Sequence, residues 1–372
     1  MSVIKKIFRY FFVIFSVLAG LMLLIFVGFL VYTTFTDYKP AETESINISK
    51  TSLPESVPAG KLEVYTWNIG YCGLGANMDF FYEKGKMVRP DKKYYEHCRE
   101  GVLQQLTMLN KPDFILLQEI DQHSHRTYLD DQVGRIKATL KDYAAFFALN
   151  YKVPFVPVPI HSPMGKVKAG MLTLSRYQPV MAERHRFPSA YSWPKRLFML
   201  DRGYILTRYN VSNGKQLVLI NTHNSAFNDA ADMRTKELNM IKIIIQKEYE
   251  LGNYVIVGGD WNQNPVPFDK ESIQDGNSVQ TISPGIPADF LPDGFTWAFD
   301  PKYPTNRDVD IPYTKGKTQT TIIDFFVLSP NITLLSANTL QTGFEFADHQ
   351  PVRMVVELKN PGPGIQIPNS RR

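Results

Sequence analysis

The hydrophobic pattern of this chain opens on an unbroken run: Tyr10 to Tyr32 contains no charged residue. About 20 such residues cross a bilayer, so a transmembrane anchor is predicted over residues 10–32. Lys5, Lys6 and Arg9 precede the run, and Asp37, Glu42 and Glu44 follow it. Basic flanks stay cytoplasmic. The expected arrangement is therefore a single-pass cell membrane protein with a cytoplasmic basic end (residues 1–9) and the rest outside. A cleaved signal peptide is the competing reading. Its apolar run is usually ~7–15 residues and ends at a small-x-small site, which this sequence lacks. Residues 33–60 are polar and proline-punctuated, with no period, and read as a linker. Residues 360–372 read as a flexible tail.

Between linker and tail, short β-rich runs dominate. Leu62–Asn68, Phe114–Glu119, Gly170–Ser175, Tyr204–Tyr209, Gln216–Thr222, Tyr254–Gly258, Thr321–Leu328 and Val352–Leu358 are predicted strands. Asn213-Gly214 marks a hairpin. Tyr94–Leu109, stopping before Pro112, and Ala231–Glu250 carry helical spacing. Val153–Pro163 holds four prolines and is predicted to be an irregular loop. Many strands with irregularly placed helices predict two packed sheets with helices outside, rather than a regular βαβ series.

Composition changes this picture little. In 372 residues the apolar fraction is 44% and the charged fraction 21%, so one large core can be buried. The net charge of +5 includes the three basic residues before the anchor, and the mild remainder does not require a nucleic-acid partner. Cys72 and Cys98 have no zinc-ligand spacing. They read equally well as a disulfide of an oxidising compartment or as two buried thiols.

The chemistry gathers where the strands stop. Asn68 ends the first strand, Gln118 and Glu119 the second, and Asn221 and His223 the hairpin strand. Asp260 and Asn262 follow YVIVGG, Asp324 interrupts an apolar run, and Asp348-His349 precede the last strand. Taken singly, a carboxylate after a strand is usually a turn former. Asp324 is different, because a carboxylate between Ile323 and Phe325 needs a buried partner. Together these are the residue types of phosphate-ester hydrolysis. Oxygen ligands hold a hard cation, an imidazole moves a proton near neutral pH, and amides hold phosphate or water without added charge. Lys166, Lys168, Arg196 and Arg202 are candidate phosphate clamps. The segment Tyr71–Arg99 either walls the pocket or caps the sandwich. His123-Ser124-His125 reads as a solvated loop.

Seven short motifs in this order resemble the endonuclease/exonuclease/phosphatase superfamily, which includes deoxyribonucleases, apurinic endonucleases, neutral sphingomyelinases and inositol polyphosphate 5-phosphatases. They are TWN (66–68), LQE (117–119), LSRY (174–177), NTH (221–223), GDWN (259–262), IDFF (323–326) and DHQPV (348–352). The stretches at 119–128, 162–177, 192–203 and 252–262 are also similar to a less characterised bacterial branch. The resemblance implies a four-layered α/β sandwich over residues 61–359, two packed mixed β-sheets flanked by helices, preceded by one transmembrane helix. It implies a catalytic set of His349, Asp260, Asn262, His223 and Asp324, with Asp324 orienting His349. It implies metal ligands Glu119, Asn68 and Asp348 for Mg²⁺, with Mn²⁺ or Ca²⁺ as alternatives, and phosphate contacts from Asn68, Lys168 and Arg202. The expected activity is hydrolysis of a phosphomonoester or phosphodiester, with a lipid headgroup ranked first because of the anchor. A nuclease or a sugar or inositol phosphatase ranks next, and a non-catalytic binding module last.

Overall fold

The computed structural model describes residues 2–49, 52–188, 191–226, 231–274, 278–282 and 285–359. The tail expected at 360–372 lies outside them. Four helices are described: α1 (Ser2–Phe35), α2 (Lys92–Met108), α3 (Gln132–Thr139) and α4 (Ala231–Glu250). The strands are β1 (Thr43–Ser45), β2 (Ser56–Val57), β3 (Lys61–Asn68), β4 (Phe114–Asp121), β5 (Ala144–Val156), β6 (Gly165–Ser175), β7 (Met181–Arg186) and β8 (Gly203–Val211). They continue with β9 (Gln216–His223), β10 (Tyr254–Asp260), β11 (Thr296–Ala298), β12 (Asn306–Arg307), β13 (Thr320–Thr321), β14 (Asp324–Leu328), β15 (Ile332–Thr339) and β16 (Val352–Leu358).

Two mixed sheets face each other. One runs β15-β16-β3-β4-β6-β5 and the other β1-β7-β8-β9-β10-β14-β11, with β2 beside β8. Period-two alternation assigns the layers. In β3, Leu62 and Val64 pack between the sheets with Phe114, Leu116, Leu219, Ile256 and Phe326. Tyr65 and Trp67 point the other way, under α2 and α3, onto Val102, Leu106 and Ile136. On the far side, Val218, Ile220, Val255 and Val257 pack under α4 through Leu238, Ile241 and Ile245. Helix, sheet, sheet, helix is the four-layered sandwich expected from the sequence. Gln118 and Asn221 bridge its middle: Gln118 Nε2 donates to Asn221 Oδ1 at 2.8 Å across the sheets.

Three elements depart from expectation. The chain from Thr321 to Leu328 is not one strand. Thr320–Thr321 pairs with β12, and a new strand starts at Asp324. The proline-rich stretch is strand as far as Val156, because β5 is the outer strand of its sheet and an edge tolerates the missing N–H of Pro154. The linker is also tied down: β1 pairs with β7, β2 pairs with β8, and Ile46, Ile48 and Leu53 pack on Phe146 and Ala182. Sparse apolar residues without a period gave no sign of edge strands only two or three residues long. Cys72 and Cys98 are free thiols buried in the helix-covered core.

Candidate active site

A cleft opens where β4, β9 and β10 end. Parallel pairing sets His223 of β9 opposite Asp260 of β10, and antiparallel pairing sets Asp260 opposite Asp324 of β14. These three side chains therefore occupy one row across three adjacent strands. In the facing sheet, β3 runs parallel to β4, which brings Asn68 to the same end. His349 arrives on the turn into β16 and is fixed by Trp67, whose Nε1 donates to the His349 carbonyl at 2.9 Å.

Glu119 reaches the site by an irregularity. Strict alternation would place it with Ile115 and Leu117, under the helices. The register between β4 and β6 shifts between Leu117 and Ile120, and Glu119 has a φ of 54°. This bulge returns Ile120 to the core and turns the carboxylate toward the cleft, a known use of bulges. Asn262, at φ 52°, also holds left-handed backbone beside the site. Two glycines are demanded here. A Cβ on Gly259 (φ 146°) would lie 2.0 Å from the Thr222 carbonyl oxygen, and one on Gly70 (φ 49°) would lie 2.4 Å from Asp348 Oδ1.

The contacts divide the candidates by what each can do. His349 Nδ1 lies 2.8 Å from Asp324 Oδ2, both side chains being buried. Burial alone would depress the His349 pKa, but the Asp324 carboxylate raises it well above the usual value. On the other ring face, Asn306 Nδ2 is 3.0 Å from His349 Nε2; a charged ring donates from both nitrogens, so it requires the amide oxygen there. His223 is the opposite case: burial, with Arg202 and His349 nearby, holds it well below the usual value and therefore neutral. Its Nε2 is 3.5 Å from Asp260 Oδ2 and 3.8 Å from Glu119 Oε1. Burial lifts Asp260 to about 6 against the opposing pull of His349. Burial likewise lifts Asp348 to about 7, with His349 lowering it and Glu119 raising it.

Asn68 is hydrogen-bonded at both ends of its amide. Its Oδ1 accepts from Gly70 N at 3.0 Å, and its Nδ2 donates to Asp260 Oδ2 at 3.0 Å and Glu119 Oε1 at 3.3 Å. Asn262 gives its backbone N–H to Asp260 Oδ1 at 2.9 Å and its Nδ2 to the Asn224 carbonyl at 2.8 Å. The cleft, about 640 Å³, is lined by Glu119, Arg202, His223, Asp260, Asn262, Asp348 and His349.

A hard cation fits this donor set. Glu119, Asp260 and Asp348 line the same cleft, and among the described residues none of them forms an ion pair with lysine or arginine. Asp348 Oδ1 is buried with no hydrogen-bond partner, a costly state unless something else pairs with it. Among the described residues, the donor atoms that lie within 4.8 Å of one another are those of Asp260, Asp324 and His349; Asp324 Oδ2 is committed to the imidazole, while its buried Oδ1 has no hydrogen-bond partner there.

Other expected residues are elsewhere. Lys168 does not line the cleft. Its neighbour Ala169 does, and adjacent strand residues point to opposite faces. Gln118 and Asn221 belong to the bridge between the sheets. Arg196 pairs with Asp37 at 3.2 Å. Arg202 does line the cleft, and its Nη1 is buried without a partner among the described residues. Tyr71, Phe80, Tyr82 and Glu83 make the segment after β3 a cleft wall. No sequence signal marked Asn306, on the two-residue strand β12 that is too short to show a period, or Asn150, whose buried Nδ2, unpartnered among the described residues, faces the cleft from β5. Arg126 also lines the cleft, held by Asp121 through Nε and Nη2 at 3.0 and 2.9 Å and lying 3.6 Å above the Tyr71 ring.

A family model described as "Endonuclease/Exonuclease/phosphatase family" matches residues 65–337. Among solved structures, an endonuclease/exonuclease/phosphatase from Beutenbergia cavernae DSM 12333 aligns with a TM-score of 0.54 and 18% identity, over 81% of this chain and 72% of that one. ANGEL2, a 2′,3′-cyclic phosphatase in complex with adenosine-2′,3′-vanadate, aligns with a TM-score of 0.54 and 13% identity, over 87% of this chain and 100% of that one. At such identities the likeness is one of fold. No curated protein matches the chain.

Proposed function

The chain belongs to the endonuclease/exonuclease/phosphatase family, whose members are phosphoric ester hydrolases, and on that premise we propose that it is a divalent-metal-dependent phosphoesterase held at a membrane. The observation that carries this reading is one cleft lined by Glu119, Asp260 and unpartnered Asp348 beside an Asp324-supported His349. Glu119 and Asp348 would hold the ion, Mg²⁺ by its preference for oxygen ligands. When bound, the ion supplies positive charge for the phosphoryl oxygens and the leaving oxygen.

The chain's own residues supply the rest. Asp260 accepts a proton from a water placed between it and His223, and Asn68 and the Asn262 backbone N–H keep its oxygens aimed. His349, charged through Asp324, exchanges its Nε2 contact with Asn306 for a phosphoryl oxygen and donates to it as negative charge builds there. Arg202 offers its free Nη1 to another. The long apolar α1 passes the length and composition test for a span. It supports anchoring, and the basic residues before it favour a cytoplasmic N-terminus with the domain outside.

A membrane-anchored nuclease is the second reading. It rests on Phe80 and Tyr82 in the cleft wall, where bases could stack. The test is turnover of bis-p-nitrophenyl phosphate titrated with Mg²⁺, in wild type and in Glu119→Gln. We expect metal-dependent hydrolysis, with the titration of the variant moved at least 10-fold to higher metal. Unchanged titration would remove Glu119 as the ligand, and turnover in excess chelator would sink the metal reading.

A further inference from the structure

Helix α1 is far longer than a membrane needs, and the domain begins to cover it at a definite residue. From Val3 to Gly28 every residue is exposed except half-buried Ala19, and cover starts at Phe29. There Phe198 stacks on the Phe29 ring at 5.8 Å, and Phe155 meets it edge-on at 6.1 Å. The hydrocarbon core of a bilayer takes about 20 helical residues. Counted from Tyr10, the first residue after Arg9, they end at Phe29. The helix therefore meets the domain at the level where it would leave the hydrocarbon.

The surface at that level has the composition of a membrane interface. Phe155, Val158 and Ile160 of the proline-rich stretch are 37%, 39% and 92% exposed, and Trp193 is 53% exposed. Trp193 Nε1 donates to Thr34 Oγ1 at 3.1 Å. Thr34 lies five residues past Phe29, about 7.5 Å farther along a helix, which is headgroup depth, where indoles concentrate. Lys195 lies 4.5 Å from the Tyr191 ring in the same segment, adding positive charge that suits anionic headgroups. This apolar surface also runs into the cleft, because Phe198 is followed by Met199 and Leu200, and all three line it with Arg202.

We propose that the exposed stretch 155–160 and the segment 191–198 form a membrane-docking surface around the emerging end of α1, so that the cleft opens along the bilayer and takes a phosphoester carried by a lipid of the same membrane. The substrate class rests on the phosphoesterase reading above; the docking does not. Apolar side chains exposed on stiff loops are stabilised by lipid rather than water. A headgroup can pass between Phe198–Leu200 and Arg202 while its acyl chains stay beside Phe155 and Phe29.

The test uses the full-length protein reconstituted in vesicles of phosphatidylethanolamine and phosphatidylglycerol. Trp193 fluorescence, taken as the difference between wild type and Trp193→Phe, should be quenched by lipids brominated near the top of the acyl chain. Quenching only by a water-soluble quencher would overturn the docking and leave a surface for a protein partner. The double variant Val158→Glu, Ile160→Glu changes exposed side chains outside the cleft. It should hydrolyse bis-p-nitrophenyl phosphate as wild type does, yet release at least 10-fold less product from the phosphatidylglycerol of the vesicle and from phosphatidic acid added to it. Equal rates on lipid, or wild-type turnover of the aryl ester with none of either lipid, would overturn the lipid substrate. No turnover of either class at any divalent metal would instead defeat the phosphoesterase reading, and the quenching would still report on docking.

Discussion

The pairing of His349 with Asp324 gives the sharpest quantitative expectation. Nδ1 and Oδ2 are 2.8 Å apart. At an effective dielectric of about 20, two unit charges at that distance attract by roughly 6 kcal/mol. Desolvation opposes this, and breaking comparable buried pairs costs ~3–5 kcal/mol. If most of that sum holds the ring charged and oriented, Asp324→Asn should lose about 10²–10³-fold in turnover, at about 1.4 kcal/mol per decade. His349→Ala removes the donor itself and should lose ~10²–10⁴-fold. Since Asp324 acts through the ring, the double variant should be little slower than His349→Ala alone. The assay is a double-mutant cycle on aryl phosphodiester turnover at saturating metal, with thermal unfolding of each variant as the folding control. Additive losses, with the fold intact, would show that Asp324 works independently of His349 and would refute the pair.

Three further outcomes follow from the geometry. Arg202→Met should raise KM for a phosphodiester roughly 10-fold with a smaller change in kcat, given about 1.5–3 kcal/mol for a hydrogen bond to a charged group; unchanged KM would remove Arg202 from the phosphate contacts. Burial would raise the Glu248 pKa, but Arg208 at 2.7 and 2.9 Å and Asn253 outweigh it and hold it below the usual value. A depressed folded-state pKa means stability that is present above the ordinary glutamate value and lost as pH falls through the folded one. Urea midpoints of Glu248→Gln should therefore depend less on pH in that acid window than wild type, and parallel curves would count against the pair. Cys72 and Cys98 should be alkylated only after denaturation, without reductant; a disulfide-linked peptide from native protein would contradict their free state.

What was legible in the sequence was what periodicity carries. Strands such as Lys61–Asn68 and Tyr254–Asp260 are apolar enough on both faces to declare themselves, and they sit in the middle of their sheets. Edge elements were not legible. β15 is half polar and β7 more so, the apolar β5 runs into prolines at its end, and the strands within the linker are too short to show a period. The site followed the same division. Residues at the ends of central strands, Asn68, His223 and Asp260, converge because parallel register aligns those ends. Lys168 is not among the residues that line the cleft, because proximity in sequence to cleft residues does not fix the face of a strand.

Glu119 shows why the convergence could still not be derived from pattern alone. Period two, applied to FILLQE, buries Glu119 beneath α2 beside Leu117, where a lone carboxylate would be expensive. Only the shift between Leu117 and Ile120 resolves the conflict, and it does so at a residue with φ of 54°. A non-glycine residue in that region costs of order 1 kcal/mol or more and persists when its surroundings fix it. Here the fixing is visible: Ile120 returns to the core, and Asn68 Nδ2 reaches Glu119 Oε1. Asn68 itself is held by Gly70, whose missing Cβ makes room for Asp348 Oδ1. The strain at Glu119, the glycine at 70 and the unpartnered Asp348 oxygen thus form one arrangement. Its geometry brings carboxylates into one cleft with no lysine or arginine paired to them among the described residues, and a cation is a partner that suits such an arrangement.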